Sequence, residues 1–236
     1  MQNFSTGDKS IGVHDGHRER LKTRYIEHGL DSFNDLNALE LLLFYAIPRK
    51  DTNVIAHELL DHFGSLACVL NASVYELMEV RGIGESAAIL ISMLPQLMRK
   101  SLISEGEDHP IINSTRKAAE YLIPRFAYEK DEVFLLMCLD SQRKLICCVE
   151  VARGVVNSVE TNVRRIAELA LKNRASSVII SHNHPDKIIY PSREDDYVTK
   201  QTIAAMNAIC IPMADHIIVA GDKYVSYSEK GMLDFY

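Results

Sequence analysis

The sequence predicts an all-α helical module over residues 1–103, a linker over 104–112 and a mixed α/β domain over 113–236. Three observations predict this division. Apolar residues before position 110 recur at helical spacing and give no strand pattern. The segment 101–110 (SLISEGEDHP) is polar and ends in a proline, which is typical of a linker. Beyond it, continuous apolar runs alternate with helical patterns, as expected for a sheet that helices cover.

Four helical segments are predicted in the first part. They cover 37–47, 52–63, 73–80 and a stretch that opens at about Glu85. Pro48 ends the first because proline cannot continue a helix, and Gly64 is a suitable stop for the second. Ser73 and Glu76 have the spacing of a capping box, in which each side chain bonds the other residue's backbone N–H at a helix start.

Strands and helices alternate in the predicted second part. Strands are predicted over 132–140 and 145–151, over 176–184, and as a hairpin over 215–228 that turns at Gly221-Asp222; helices are predicted over 161–173 and 192–209. The first two strands form a hairpin across the turn SQRK. The run EVFLLMCLD (132–140) is almost wholly apolar, so we expect its strand to be covered on both faces.

Composition and charge exclude several classes of protein. The 236 residues are 47% hydrophobic and 25% charged, which excludes wholesale disorder. The net charge is −6, with acidic residues in excess in both parts, whereas strong nonspecific DNA binding needs a positive surface. No apolar run is long enough to span a membrane and the N-terminus has no signal pattern, so we expect no membrane partner and a cytoplasmic location. The five cysteines contain no C-x-x-C pair, which argues against a cysteine zinc site.

The residues most indicative of chemistry are His182 and His184 at the end of a predicted strand, with Asp195 at the start of the next helix. Side chains two positions apart on a strand point to the same side, so the two imidazoles can share one metal ion. Two nitrogens and one carboxylate oxygen suit Zn²⁺ and leave the fourth tetrahedral position for a water that becomes a nucleophile.

Each of these residues also has a simpler interpretation. The histidines of a bare His-x-His are commonly hydrogen-bonded polar side chains at a strand end. Ser192 and Asp195 fit a helix N-cap with an acidic third residue, and that role needs no metal. The two interpretations are compatible, because a cap can fix the helical turn that presents Asp195. His216, beside Asp215, is either a partner of the site or a structural histidine.

The pattern H-x-H-x7-S-x-x-D resembles the signature of JAMM (MPN-type) metalloproteases, and the whole chain from about His17 resembles the RadC family. The resemblance is carried by these segments: GHRERL, ELLLFYAIPRKDTN, FGSL, the GIG turn, EVFLLMCLD, SHNHP, PSREDDYVT and DHIIVAGDKYVSYSEKG. It implies a JAMM/MPN-like, cytidine-deaminase-like fold for the second part. One departure is visible: the family usually reads HNHPSG, whereas Asp186 and Lys187 replace the small pair here.

The resemblance also implies site roles. A glutamate on an early strand would be the general acid/base. The resemblance favours Glu132, which opens the strand EVFLLMCLD, and Glu150 on the next strand is the alternative. Ser192 would donate a hydrogen bond to the developing oxyanion. The reaction implied is hydrolysis of a peptide or isopeptide bond in a peptide or protein substrate, with zinc as cofactor. The sequence does not predict the substrate's identity or the oligomeric state.

The segment Gly82-Ile83-Gly84, within residues 80–90, looks like a helix–hairpin–helix motif. Its exposed backbone N–H groups would contact a DNA phosphate, although in an acidic module we expect weak contact at most. The simpler interpretation is a packing joint whose glycines let two helices approach. The alternative function is therefore a DNA-repair-associated DNA-binding protein whose metal site is structural or nuclease-like.

Overall fold

The computed structural model describes residues 13–48, 50–104, 109–154 and 159–233, and the chain divides into two compact units between Leu97 and Met98. The predicted linker over 104–112 stays a prediction. The helices found in the described residues are α1 (Val13–His28), α2 (Asp35–Ala46), α3 (Thr52–Phe63), α4 (Leu66–Asn71), α5 (Val74–Glu79), α6 (Glu85–Ser104), α7 (Thr115–Phe126), α8 (Val159–Lys172) and α9 (Arg193–Ala208), with a short 3-10 helix at Leu30–Ser32. The strands are β1 (Val133–Leu139), β2 (Leu145–Arg153), β3 (Ser177–Asn183), β4 (Met213–Ala220) and β5 (Lys223–Ser226).

The first unit has a helical core, as predicted. Its central side chains are fully or almost fully buried: Leu39, Leu43, Leu59, Leu77 and Ile91. The predicted capping box is formed, since the Glu76 N–H donates to Ser73 Oγ at 3.2 Å and the Ser73 N–H donates to Glu76 Oε2 at 2.7 Å. Gly64 ends α3 in the left-handed conformation at φ 82°. No strand lies before residue 110 in the part of the chain described, which confirms that prediction.

The second unit is a five-stranded sheet in the order β2-β1-β3-β4-β5. β1 pairs antiparallel with both β2 and β3, β3 pairs parallel with β4, and the β4–β5 hairpin turns at Gly221-Asp222 as predicted. Every residue of β1 is buried, as the continuous apolar run predicted. α7 packs on one face of the sheet, and α8 and α9 pack on the other. The fold class predicted from the sequence, helices followed by a mixed α/β sheet domain, is confirmed.

Three helices, α1, α4 and α7, have no counterpart in the sequence prediction. α1 is rich in charge and buries Leu21 against Leu41 and Phe44, so its apolar stripe is too sparse to predict a helix. α7 contains Pro124 in its last turn, a residue that usually marks a helix end. Its buried face, with Leu122 at the centre, still covers the sheet.

Candidate metal centre

The end of β3 presents two imidazoles toward the face of the sheet that carries α9. His182 lies in β3 opposite Phe134 of β1, and its ring stacks on that phenyl ring with centroids 5.8 Å apart and planes 5° from parallel. His184 follows the strand, and its backbone N–H donates to the Val219 carbonyl of β4 at 2.8 Å. The Nε2 atoms of His182 and His184 are 3.0 Å apart. The alternation of a strand therefore brings both rings to one point, as predicted.

The first turn of α9 supplies the third donor, Asp195. A capping box fixes this turn: the Asp195 N–H donates to Ser192 Oγ at 3.1 Å, and the Ser192 N–H donates to Asp195 Oδ2 at 2.7 Å. Asp195 Oδ1 lies 3.0 Å from His182 Nε2, and Oδ2 lies 3.5 Å from His184 Nε2. One ligand atom from each of the three residues falls within 4.8 Å of the others. The cap and the ligand position are thus two uses of one carboxylate.

Burial and charge make this cluster suited to a cation. His182 and Asp195 are 1% and 8% exposed, and His184 is half-buried. Burial alone would raise the pKa of Asp195, but hydrogen bonds from His182 and His184 hold it well below its usual range. The hydrogen bond to Asp195 raises the pKa of His184, against the opposing effect of burial. Two imidazole nitrogens and an ionised carboxylate form a donor set that fits Zn²⁺ with one position open.

The other ring nitrogen of each histidine also has a partner. His184 Nδ1 lies 2.5 Å from the Ile188 carbonyl oxygen, and His182 Nδ1 lies 3.0 Å from His216 Nε2. Such contacts hold a metal-binding ring in orientation. His216 is therefore a partner of the site, one of the two interpretations that the sequence left open. Spacing could not identify it, because His216 reaches His182 through the parallel β3–β4 pairing.

Comparison with known proteins identifies the family. The profile of the RadC-like JAB domain matches residues 112–232, more than half of the chain. The chain belongs to the RadC family. A UPF0758 protein of Variovorax paradoxus (strain S110) is 34% identical over 227 residues, which cover 95% of this chain and 99% of that protein. A UPF0758 protein of Fusobacterium nucleatum subsp. nucleatum is 32% identical over 225 residues, which cover 92% and 97%. The predicted family resemblance is confirmed, while the helix–hairpin–helix character of the first module stays a prediction.

The RadC family loop between the histidines and α9 begins with a tight turn at Asp186 and Lys187. The Lys187 N–H donates to the His184 carbonyl at 3.0 Å, and the Ile188 N–H donates to Asp186 Oδ1 at 3.0 Å. Lys187 has φ 62°, a left-handed conformation that glycine adopts more readily. The turn places the Ile188 carbonyl against His184, so the departure from the usual Ser-Gly pair leaves this imidazole held.

The two glutamates considered as the general base of this RadC family member lie in different surroundings. Glu132 is half-buried just before β1, and its charge also raises the pKa of His184. Glu150 is exposed on β2 and accepts hydrogen bonds from the Arg153 guanidinium at 2.8 and 3.2 Å. Of the two carboxylates, Glu132 is the one whose charge acts on His184, whereas Glu150 is paired with an arginine at the surface. The catalytic role of Glu132 stays a prediction.

Asn183, between the two histidines, holds the backbone on both sides of Glu132. Its Oδ1 accepts from the Val133 N–H at 2.7 Å, and its Nδ2 donates to the Asp131 carbonyl at 3.0 Å. Asn183 and Val133 are both buried, so the bond between them is shielded from water. Sequence spacing could not identify this role, because the two partners of Asn183 are about fifty positions away along the chain.

Ser192 is exposed at the start of α9 and uses its oxygen as the helix cap. Accepting the Asp195 N–H occupies a lone pair of the hydroxyl and leaves its hydrogen able to donate elsewhere. The geometry is therefore compatible with the predicted hydrogen bond from Ser192 to an oxyanion, which stays a prediction.

The first unit of the RadC family member places Gly82-Ile83-Gly84 between α5 and α6. Gly82 has φ 94°, and a Cβ there would lie 2.9 Å from the Ile55 side chain, so glycine is required for conformation and packing. Ile83 is buried in the helical core, whereas a Cβ on Gly84 would meet nothing within 4 Å. The turn and the first residues of α6 line a cavity of about 470 Å³ with Lys50.

Among the described residues, no helix combines the length and the hydropathy that crossing a bilayer requires.

Proposed function

We propose that this RadC family member is a zinc-dependent hydrolase that cleaves an amide bond in a peptide or protein. The observation that carries the proposal is the convergence of His182, His184 and Asp195, whose ligand atoms lie within 4.8 Å of one another. These residues would hold the ion. Zinc in such a site supplies a Lewis acid that polarises a carbonyl and lowers the pKa of water.

The chain's own residues account for the remaining chemistry. Glu132 takes a proton from the attacking water and returns it to the leaving amine. Its half-buried position and its effect on the pKa of His184 support that role. Ser192 donates its hydroxyl hydrogen to the oxygen that develops negative charge, and its acceptance of the Asp195 N–H leaves this hydrogen available.

The first test separates zinc binding from proton transfer. Full-length protein and its variants are loaded with Zn²⁺, dialysed and analysed for metal, and then incubated with a proteome-derived peptide library whose new termini are identified by mass spectrometry. Glu132→Gln should keep the zinc and slow cleavage at least about 100-fold. His184→Ala should lose both, because it removes a ligand.

Glu150→Gln discriminates between the two carboxylates. It should keep both zinc and cleavage, because Glu150 is bonded to Arg153 at the surface. Loss of cleavage in Glu150→Gln together with full activity in Glu132→Gln would reassign the base. Stoichiometric zinc in the wild type, with no new termini in any library, would instead support a structural metal site.

A second candidate function, DNA contact by the first unit, is supported by the open face of Gly84 beside Lys50. Gly84→Ala is the informative variant, since its methyl group meets no neighbour, whereas Gly82→Ala would clash with Ile55. Fluorescence anisotropy of a labelled DNA duplex, measured over a salt series with the full chain, should show weaker binding for Gly84→Ala and Lys50→Gln. Binding that neither change affects would remove this turn from any DNA role.

A further inference from the structure

A chain of buried polar groups connects two of the proposed zinc ligands behind the site. His182 Nδ1 lies 3.0 Å from His216 Nε2, and His216 Nδ1 lies 2.6 Å from Thr199 Oγ1. Thr199 Oγ1 also lies 2.6 Å from the Asp195 carbonyl oxygen. Thr199 and His216 are 0% exposed, so no water competes for these groups. This hydrogen-bonded relay runs from His182 through His216 and Thr199 to the Asp195 carbonyl. It begins at one proposed ligand and ends on the backbone of another.

The direction of every hydrogen bond in this chain follows from its last member. A carbonyl oxygen can only accept, so the Thr199 hydroxyl donates its single hydrogen to Asp195. The same hydroxyl must then accept from His216, whose Nδ1 therefore carries a proton. A fully buried imidazole whose ring nitrogens face a hydroxyl and another imidazole is expected to be neutral, which leaves His216 Nε2 with a lone pair. Hence His182 Nδ1 must carry a proton and donate it to His216.

We propose that His216 and Thr199 are positioning residues that keep a proton on His182 Nδ1 and so reserve His182 Nε2 for the metal. The inference rests on the proposed zinc site but concerns residues outside the ligand set. If His182 instead took the opposite tautomer, its Nδ1 and the Nε2 of His216 would face each other with two lone pairs. The relay therefore disfavours the tautomer that carries its proton on Nε2 alone. In the metal-free protein His182 Nε2 can carry a second proton, which it donates to Asp195 Oδ1 at 3.0 Å, and a metal ion would displace that proton.

Ring packing holds the relay in place. Tyr227 is fully buried and stacks on His216, with centroids 4.7 Å apart and planes 15° from parallel. The Tyr227 hydroxyl donates to Asp196 Oδ1 at 2.8 Å, so the tyrosine ring is itself anchored to α9. The opposite ligand, His184, is oriented by the carbonyl of Ile188 in a surface loop. The two imidazoles are thus fixed by different means, and only His182 depends on the relay.

The first experiment reads the protons directly in metal-free protein. Selective ¹⁵N labelling of histidine and long-range ¹H–¹⁵N correlation at pH 8 distinguish the ring nitrogens, with the His216 signals assigned by their loss in His216→Gln. Wild type should show His216 protonated at Nδ1 only and His182 protonated at Nδ1. A wild-type His216 that carries its proton on Nε2 would overturn the proposal, whether or not the protein binds zinc.

The second experiment measures the effect on zinc affinity by competition with a chromophoric chelator. Thr199→Val removes the hydroxyl that anchors the relay and should weaken affinity about 10–100-fold, the usual effect of losing a partner of a metal ligand. Thr199→Ser keeps the hydroxyl and should bind within about threefold of wild type. Equal affinity in the valine and serine variants would refute the relay.

Two changes at His216 extend the test. His216→Gln retains an acceptor and a donor and should restore much of the affinity that His216→Leu loses. Glutamine no better than leucine would contradict a positioning role that depends on hydrogen bonding. Should a leucine or valine variant fail to fold, the wild-type proton positions and the serine and glutamine variants still decide the question. If wild type shows the predicted protons but binds no zinc, the proposed function fails and the relay stands.

Discussion

Replacing Asn183 by alanine should lower the free energy of unfolding by about 2–4 kcal/mol. The change removes the bonds from the Val133 N–H at 2.7 Å and to the Asp131 carbonyl at 3.0 Å, each with a net stabilisation of about 1 kcal/mol. It also takes the bonding partner from the N–H of a buried residue, which costs roughly a further 1–3 kcal/mol if no water replaces it. Folding of the alanine variant does not have to restrict the rotamers of an asparagine side chain, and this entropy gain offsets part of the sum.

This change in the free energy of unfolding can be measured by urea unfolding. Circular dichroism is a suitable probe, because the chain has no tryptophan whose fluorescence could be followed. Asn173→Ala is the matched control: Asn173 Nδ2 donates one local bond, to the Leu169 carbonyl at 2.8 Å, so its loss should cost less than about 1.5 kcal/mol. Asn183→Asp keeps the acceptor for Val133 but turns an oxygen toward the Asp131 carbonyl, and should lie between wild type and alanine.

A functional readout accompanies the stability measurement. If Asn183 holds the segment that carries Glu132, a folded Asn183→Asp protein should retain zinc but cleave more slowly than wild type. An Asn183→Ala protein that unfolds at the same urea concentration as the Asn173→Ala control would refute the reasoning, because the two bonds of Asn183 would then contribute no more than the one local bond of Asn173.

Three further predictions follow from backbone conformation, thiol burial and carboxyl burial. Lys187→Gly should raise the free energy of unfolding, measured in urea, by about 0.5–1 kcal/mol. Glycine relieves the backbone strain of a lysine at positive φ, and this gain should exceed the stabilisation of the unfolded chain by glycine's greater conformational entropy. A decrease would show that the lysine stabilises the turn. Burial raises the pKa of Cys138 and Cys148 to about 12, so iodoacetamide at pH 8 should modify the exposed cysteines first, as peptide mass spectrometry would show; equal labelling rates would contradict this. Burial also raises the pKa of Asp215, despite its hydrogen bonds, so the folded state binds this proton more tightly than the unfolded state does. The stability of wild type relative to Asp215→Asn should therefore fall as pH rises above about 4, and a difference that stays constant or grows would refute the assignment.

The sequence was sufficient for the elements whose pattern is local. The continuous apolar run of β1 and the alternation that carries His182 and His184 indicated both the strands and the direction of the imidazoles. Ser192 and Asp195 predicted the start of α9, because a capping box depends on residues three apart. These features need no knowledge of distant parts of the chain.

The remaining parts depend on strand order. Asn183 meets Val133 only because β1 lies beside β3, and His216 meets His182 only because β4 runs parallel to β3. No spacing rule contains that information. The charge-rich helix α1 and the proline-containing helix α7 were not predicted for another reason. Their local sequence favours a helix only weakly, and tertiary packing overrides that weak preference.

The double use of Asp195, as the acidic member of a helix cap and as a candidate ligand, sets which lengths in the sequence are free to vary. Each residue added before Asp195 within the helix would turn its carboxylate by about 100° around the axis and carry it away from the imidazoles. Residues added between Tyr190 and Ser192 would leave that rotational phase unchanged. Insertions should therefore be tolerated in the loop before Ser192. They should not be tolerated within the four positions from Ser192 to Asp195.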